Sequence, residues 1–299
     1  MEVVFIEDPC CSWCWAYQPV ETAFAFEYQG YVRSRCIMGG LRDYPIADVD
    51  FVVGQWRMAA QMSGMTFDTG IWKKRVLRTT YVACRAVKAV GLVRPGLADR
   101  FLRRLREAFF TEQRAIDDLE RILPLAEEVG VDVDRFGDHI SSGRAEALFQ
   151  RDLSEASRHG FGYPTTLVRN PHADHPIVLE GVIPYSDLTR AIADMGFPAK
   201  RRRKFRDRPR DWQRLFQLRP RLSLPELTLV TELPRDDLKK RLSQLGARQI
   251  GPFYCLDTAK DTAPGKKEKG TNGDSHLFFS EGFQTVTKLQ HVTGNSKDK

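Results

Sequence analysis

At 299 residues the chain suffices for one large or two ordinary domains, and a hydrophobic content of 42% supports a full core. No apolar run approaches the length of a membrane span, and six cysteines in so long a chain do not make a disulfide scaffold. The net charge of +7 hides a division. Residues 1–199 hold 23 Lys and Arg against 27 Asp and Glu, whereas residues 200–299 hold 23 against 12, so the two parts are expected to meet different partners.

Val3, Val4, Phe5 and Ile6 predict a buried strand, stopped by Glu7, Asp8 and Pro9. The strand begins at Glu2 or Val3 and leaves no room for a leader segment, so the expected address is the cytoplasm. An aromatic-rich helix follows from about Ser12 to Tyr28, with Pro19 expected to kink it. Strand, tight loop and helix together set Cys11 and Cys14 at a helix N-terminus. Backbone N–H groups and the helix dipole stabilise a thiolate there, taking a thiol pKa from about 8.5 to roughly 3.5–7.5. The two-residue spacing predicts that Cys11 faces solvent in the first turn, with Cys14 about one turn below and within bridging reach. Cys11 would attack a substrate disulfide and Cys14 would resolve the mixed disulfide. Trp13, between the cysteines, offers an apolar platform for substrate, while Trp15 could belong to the core.

Other readings of this stretch are weaker. Zinc takes four ligands in paired clusters, and neither a second Cys-x-x-Cys nor a His-x-x-x-His is present, so no metal is expected. Cys10, Cys11 and Cys14 with a distant His would be the soft-metal alternative. Cys36 and Cys84 read as small buried hydrophobes, and Cys10 as a spectator thiol rather than a second resolving one.

Tyr31 to Met38 alternates as a second strand, ended by Gly39-Gly40. From Ala47 to about His159 the apolar spacing is helical throughout, with starts at Pro95-Gly96 and Asp117-Asp118. Strands return at Pro164–Val168 and Pro176–Glu180, separated by the turn residues Asn170-Pro171-His172, and a helix from Tyr185 to Met195 follows. The order predicts an α/β layer fold with an all-helical insertion at about 47–159.

A Cys-x-x-Cys helix after the first strand, a helical insertion and a late Tyr163-Pro164-Thr165 resemble the DsbA-like branch of the thioredoxin superfamily. More narrowly, DPCCSWCWAY, Gly39-Gly40-Leu41, Ala83-Cys84-Arg85-Ala86-Val87 and Arg106-Glu107-Ala108-Phe109-Phe110 look like the FrnE-like cytosolic group, which includes the Spx-degradation adaptors. The resemblance covers about residues 1–197. It implies a thioredoxin-like fold, a cis peptide before Pro164 beside the Cys11 sulfur, and a substrate-docking role for Tyr163, Pro164 and Thr165. One departure stands out. The buried acid that many thioredoxin-like proteins carry six residues before the nucleophile is Phe5 here, leaving Glu7 or Asp8 to serve Cys14 through water.

From Lys200 to Arg221 eleven of twenty-two residues are Lys or Arg, which reads as a solvated basic linker. Leu224–Leu233 and Asp236–Leu245 predict two short helices, and Gln249–Leu256 with His276–Phe279 would be wing strands, so residues 222–285 resemble a winged helix. Residues 286–299 read as a disordered tail. The expected organisation is a thioredoxin domain at 1–199, the linker at 200–221, this module and the tail.

The leading expectation is a cytosolic thiol–disulfide oxidoreductase of the disulfide reductase or isomerase type. It would act on thiol- or disulfide-containing proteins or small thiols, with no cofactor beyond glutathione as a redox partner and no membrane contact. The alternative is a redox-sensing adaptor that contacts a protein or nucleic acid through residues 200–250. A glutathione-dependent transferase or isomerase, the third member of the DsbA-like set, is expected to carry Ser where Cys11 stands, and the cysteine pair argues against it.

Overall fold

A computed structural model describes residues 1–160 and 162–256. The apolar run after Met1 forms β1 (Glu2–Glu7), buried along almost its whole length. It occupies an interior position in a four-stranded sheet of order β2-β1-β3-β4. β1 pairs in parallel with β2 (Arg33–Met38) and antiparallel with β3 (Thr165–Arg169), which in turn pairs antiparallel with β4 (Ile177–Glu180). Both faces of β1 are covered, so its sequence is a continuous apolar run rather than an alternating one.

Between β1 and β2 lie α1 (Ser12–Ala16) and α2 (Gln18–Tyr28). The single kinked helix expected here is two helices, broken at Tyr17. Pro19 falls in the first turn of α2, where its missing N–H has no intrahelical partner to lose. One face of α2 packs with α10 (Tyr185–Asp194) on the sheet through Val3, Phe5, Val20, Phe24, Leu188 and Ile192.

The insertion between β2 and β3 is helical, as the sequence predicts. It comprises α3 (Val49–Ser63), α4 (Ile71–Lys74), α5 (Tyr81–Val93), α6 (Ala98–Thr111), α7 (Leu119–Glu128), α8 (Val133–Ser141) and α9 (Arg144–Ala156). Its centre is aromatic: Trp56 lies among Trp72, Phe109 and Phe110, and Trp15 of α1 stacks on Phe110 with centroids 5.7 Å apart. Helix α1 is thereby fastened to the insertion.

The basic stretch 200–221 is not a solvated linker. It contains α11 (Pro209–Leu218), whose Trp212, Leu215 and Phe216 are buried at helical spacing. Two of its arginines turn inward: Arg219 pairs with Asp99, and Arg221 with Glu107 at 3.2 Å and Glu112 at 3.0 Å. Next come β5 (Leu222–Ser223), α12 (Leu224–Thr231), α13 (Arg235–Gln244), β6 (Arg248–Ile250) and β7 (Phe253–Cys255), with a second sheet of order β5-β7-β6. The run Gln249–Leu256, expected as one strand, contains a hairpin turn because Gly251 takes φ +58° and Pro252 follows it. His276–Phe279, the remainder of the module and the 286–299 tail lie outside the described residues.

This C-terminal part is anchored in the core. Phe253 is fully buried and meets Trp15 edge-on at 6.3 Å. Glu226 caps its own helix through the Ser223 N–H at 2.8 Å, and also accepts from Arg103 of α6 at 2.7 and 2.9 Å and from the Thr22 hydroxyl of α2 at 2.8 Å. Burial pushes the Glu226 pKa up, but the Arg103 guanidinium and these hydrogen bonds outweigh it and hold it below the usual carboxylate value. Unfolded chain therefore takes up this proton first on acidification. The stabilisation is complete above the ordinary value and is lost as pH falls through the lower folded one. Glu226→Gln should cost about 3 kcal/mol at neutral pH by leaving Arg103 under-compensated, and it should lose less stability than the parent on going to acid. Urea denaturation at neutral and acidic pH measures both effects.

Candidate active site

The two cysteines sit where β1 hands over to α1. Asp8 holds that turn. Its buried carboxylate accepts from the Cys10 N–H at 2.7 Å, the Leu41 N–H at 2.8 Å, the Thr80 hydroxyl at 2.6 Å and the Cys84 thiol at 3.3 Å. Burial raises the Asp8 pKa even against these four bonds. The side chain thus ties the cysteine loop to the turn after β2 and to the start of α5. Cys10 and Cys84 lie inside the insertion's apolar core, and burial pushes both thiols well up, consistent with space-filling roles.

Cys11 is the N-cap of α1, and its sulfur accepts the Cys14 N–H at 3.4 Å. On its other side the Cys11 thiol donates to the Tyr163 carbonyl at 3.7 Å. The Tyr163–Pro164 peptide is cis, and β3 begins at Thr165, whose hydroxyl bonds the Gly162 carbonyl at 2.5 Å. Cys11, Cys14, Tyr163, Pro164 and Thr165 therefore come together from opposite ends of the thioredoxin-like part. The exposure expected for Cys11 is corrected: it is only 4% exposed, under the backbone that carries Tyr163 and Pro164. Cys14 is fully buried. Burial and its hydrogen bond to the Cys11 sulfur push the Cys14 thiol well up, so it holds its proton while Cys11 is the acceptor.

Two small residues shape the site's floor. Gly39 follows β2, and a Cβ there would lie 2.4 Å from the Tyr163 ring, whose hydroxyl donates to the Gly39 carbonyl at 2.7 Å. Gly40 takes φ +66°, and a Cβ on it would meet Leu153 at 2.6 Å. The Gly39-Gly40 pair thus does more than end a strand: it leaves room for the ring beside the cis-proline.

Behind Cys14 lies a buried charge cluster that sequence reading largely missed. Arg106 of α6 pairs with Glu7 of β1, and at 3.6 Å with Glu21 of α2; all three side chains are nearly inaccessible. Burial pushes the Glu21 carboxyl well up and the Glu7 charge adds to this, against Arg106. Burial lowers the Arg106 pKa, but the two carboxylates outweigh it and the net shift is upward. The acid that the family resemblance led one to seek at Phe5 is thus present two residues later, on the same strand face.

Trp13 is partly exposed, and its indole N–H donates to Gln55 of α3 at 3.0 Å. Trp15, in contrast, is fully buried. Phe51, Met58 and Met62 share the Gln55 face of α3 at helical spacing and are 62%, 48% and 57% exposed. Leu41 and Tyr44, in the turn before α3, are exposed too. An apolar surface accordingly runs from Trp13 along α3.

A family model described as thioredoxin matches residues 4–189. The chain is 26% identical over 261 residues to the ClpXP adapter protein SpxH of Halalkalibacterium halodurans, covering 83% of this chain and 84% of that protein. To the protein of the same name from Bacillus subtilis it is 24% identical over 207 residues, covering 65% and 67%. Among solved structures it is similar to the cytosolic disulfide reductase DsbM of Pseudomonas aeruginosa, with a TM-score of 0.54 and 21% identity over 65% of this chain and 95% of that one. The DsbM structure with GSH gives a TM-score of 0.53 at 20% identity. None of the described helices is long and apolar enough to cross a membrane.

Gly39→Ala should displace the Tyr163 ring and lower stability by about 1–3 kcal/mol. The rate at which Cys11 is alkylated by a small iodoacetamide should change as well, read by mass spectrometry of the Cys11 peptide. Gly30→Ala, at a positive-φ position whose Cβ meets nothing within 4 Å, should alter stability without altering that rate.

Proposed function

This chain belongs to the thioredoxin family, and on that premise we propose that it is a thiol–disulfide oxidoreductase working through Cys11 and Cys14. The observation that carries the reading is the bracketing of the Cys11 sulfur by the Cys14 N–H and the Tyr163 carbonyl, with a protonated Cys14 beneath. The Cys11 thiolate attacks a substrate disulfide; one S–S bond forms as another breaks, and one substrate sulfur leaves as a thiolate. Cys14 then gives up its proton and attacks the Cys11 sulfur, releasing the second substrate thiolate. The substrate gains two electrons and the chain is left with a Cys11–Cys14 disulfide. Arg106 favours the transient Cys14 thiolate, and the Cys14 proton leaves on the released substrate thiolate. Pro164 and Thr165, expected to dock substrate, are buried, with Thr165 paired to strands on both sides and the Pro164 carbonyl accepting the Gly181 N–H. The partly exposed Tyr163 and Trp13 are therefore what a substrate can reach. Two molecules of glutathione suffice to reduce the disulfide again, in keeping with the glutathione complex of DsbM.

A second reading, an adaptor that holds a protein partner, has two supports. The curated relatives are ClpXP adapter proteins, and the exposed Phe51, Met58 and Met62 beside Trp13 suit a polypeptide better than a small thiol. The two readings share one surface, since Trp13, between the cysteines, hydrogen-bonds Gln55 on that face of α3.

Cys11→Ser should lower insulin-disulfide reduction by at least about a hundredfold. Cys14→Ser should accumulate a mixed disulfide at Cys11, seen as an adduct by intact-mass spectrometry. If Cys11→Ser retains the parent rate, the oxidoreductase reading fails; if it also retains partner capture, the adaptor reading stands alone.

A further inference from the structure

The exposed segment between α10 and the middle of α11 holds an unbalanced cluster of guanidinium groups that neither the dithiol nor the core uses. Arg203 donates to the Phe26 carbonyl at 2.9 Å and lies over the Tyr31 ring at 5.7 Å. Arg214 sits close enough for its charge to oppose that of Arg203, and its Nε is buried without a hydrogen-bond partner. Burial, then the Arg203 charge, depress the Arg214 pKa. Arg210 stands one helical turn before Arg214 on α11 and is exposed. Asp211, three residues before Arg214 on α11, and Tyr31 offset part of this repulsion, but no carboxylate among the described residues lies within ion-pair distance of Arg203, Arg210 or Arg214. Like charges side by side, one with a buried unpaired donor, are unfavourable until an anion arrives.

We propose that Arg203, Arg210, Arg214 and Tyr31 form a docking site for an acidic segment of a partner protein. A guanidinium fork matches a carboxylate with two parallel hydrogen bonds. Nine of the eleven cations in residues 200–221 are Arg and two are Lys, and Arg with Tyr rather than Lys is the composition of protein-interface anchors. Nucleic acid is the poorer fit. Tyr31 has Arg203 over its ring and Phe197 beside it at 6.3 Å, which leaves less of it to stack a base. The neighbouring helix α13 opens with Asp236 and Asp237, and already pairs its Lys240 with Asp237 and its Arg241 with Asp207. This site is independent of the dithiol.

The test uses the full chain and two fluorescein-labelled probes of equal charge, an oligoglutamate peptide and an oligothymidylate, followed by anisotropy at several salt concentrations. The peptide should bind more tightly than the oligonucleotide. Arg210→Ala/Arg214→Ala should weaken peptide binding about tenfold or more. Arg214→Lys, which keeps the charge but not the fork, should also weaken it. Lys239→Ala/Lys240→Ala, which removes as much charge from α13, should leave it unchanged. Equal loss in the two double variants, tighter binding of the oligothymidylate, or no saturable peptide binding would each overturn the proposal.

Discussion

Arginines carried into the interior by α6 set the arrangement of everything around them. Arg106 and Arg103 are one turn apart on the same helix, and both are nearly inaccessible. A guanidinium cannot shed its charge, so each such residue must be met by carboxylates brought from elsewhere in the chain. Arg106 gathers Glu7 from β1 and Glu21 from α2. Arg103 gathers Glu226 from α12, Glu107 from its own helix and the face of Trp15 at 4.7 Å. The first strand, the active-site helices, the insertion and the C-terminal segment are thus drawn to one helix by charge compensation, and the aromatic packing of Trp15, Phe110 and Phe253 fills the space between.

That convergence bears directly on the sulfur chemistry. Cys14 points into the side of the molecule where Arg106 lies, and its proton is set by burial, by the Cys11 sulfur and by this cation together. Cys11 faces the other way, toward the backbone of Tyr163. The asymmetry between the cysteines comes from two different neighbours, a buried ion cluster for one and a peptide carbonyl for the other, rather than from a contrast of solvent exposure. Asp8 fixes the loop that separates them from β1, and Gly39 fixes the ring beside the proline, so the geometry at Cys11 is supported from three segments distant in sequence.

Much of this was legible from local pattern. The strand at Val3–Ile6, the helical run through the insertion and the return of strands at Thr165 follow from periodicities of two and 3.6 residues, and the Cys11–Cys14 pair is a local motif. What escaped depends on partners far apart in the chain. Glu226 closes a capping box with Ser223 three residues before it, but its partner Arg103 lies 123 residues away. Cys11 loses its expected exposure to a carbonyl 152 residues away. In the stretch 200–221 the density of charge masks the helical spacing of Trp212, Leu215 and Phe216, which the packing of α11 follows. Glu7, one pleat repeat after Phe5, was legible as an acid for Cys14, but its pairing with Arg106, 99 residues away, was not.

The account stands on reversible bond formation between two sulfurs whose surroundings differ. Its most direct measure is the fraction of Cys11 and Cys14 protected from alkylation across a series of glutathione redox buffers, resolved by peptide mass spectrometry. One two-electron transition shared by Cys11 and Cys14, with Cys10 and Cys84 free thiols throughout the series when the acid-quenched chain is alkylated under denaturing conditions, is the predicted result. A pair that stays as free thiols across the whole series, or a disulfide that joins either one to Cys10 or Cys84 instead, would contradict it.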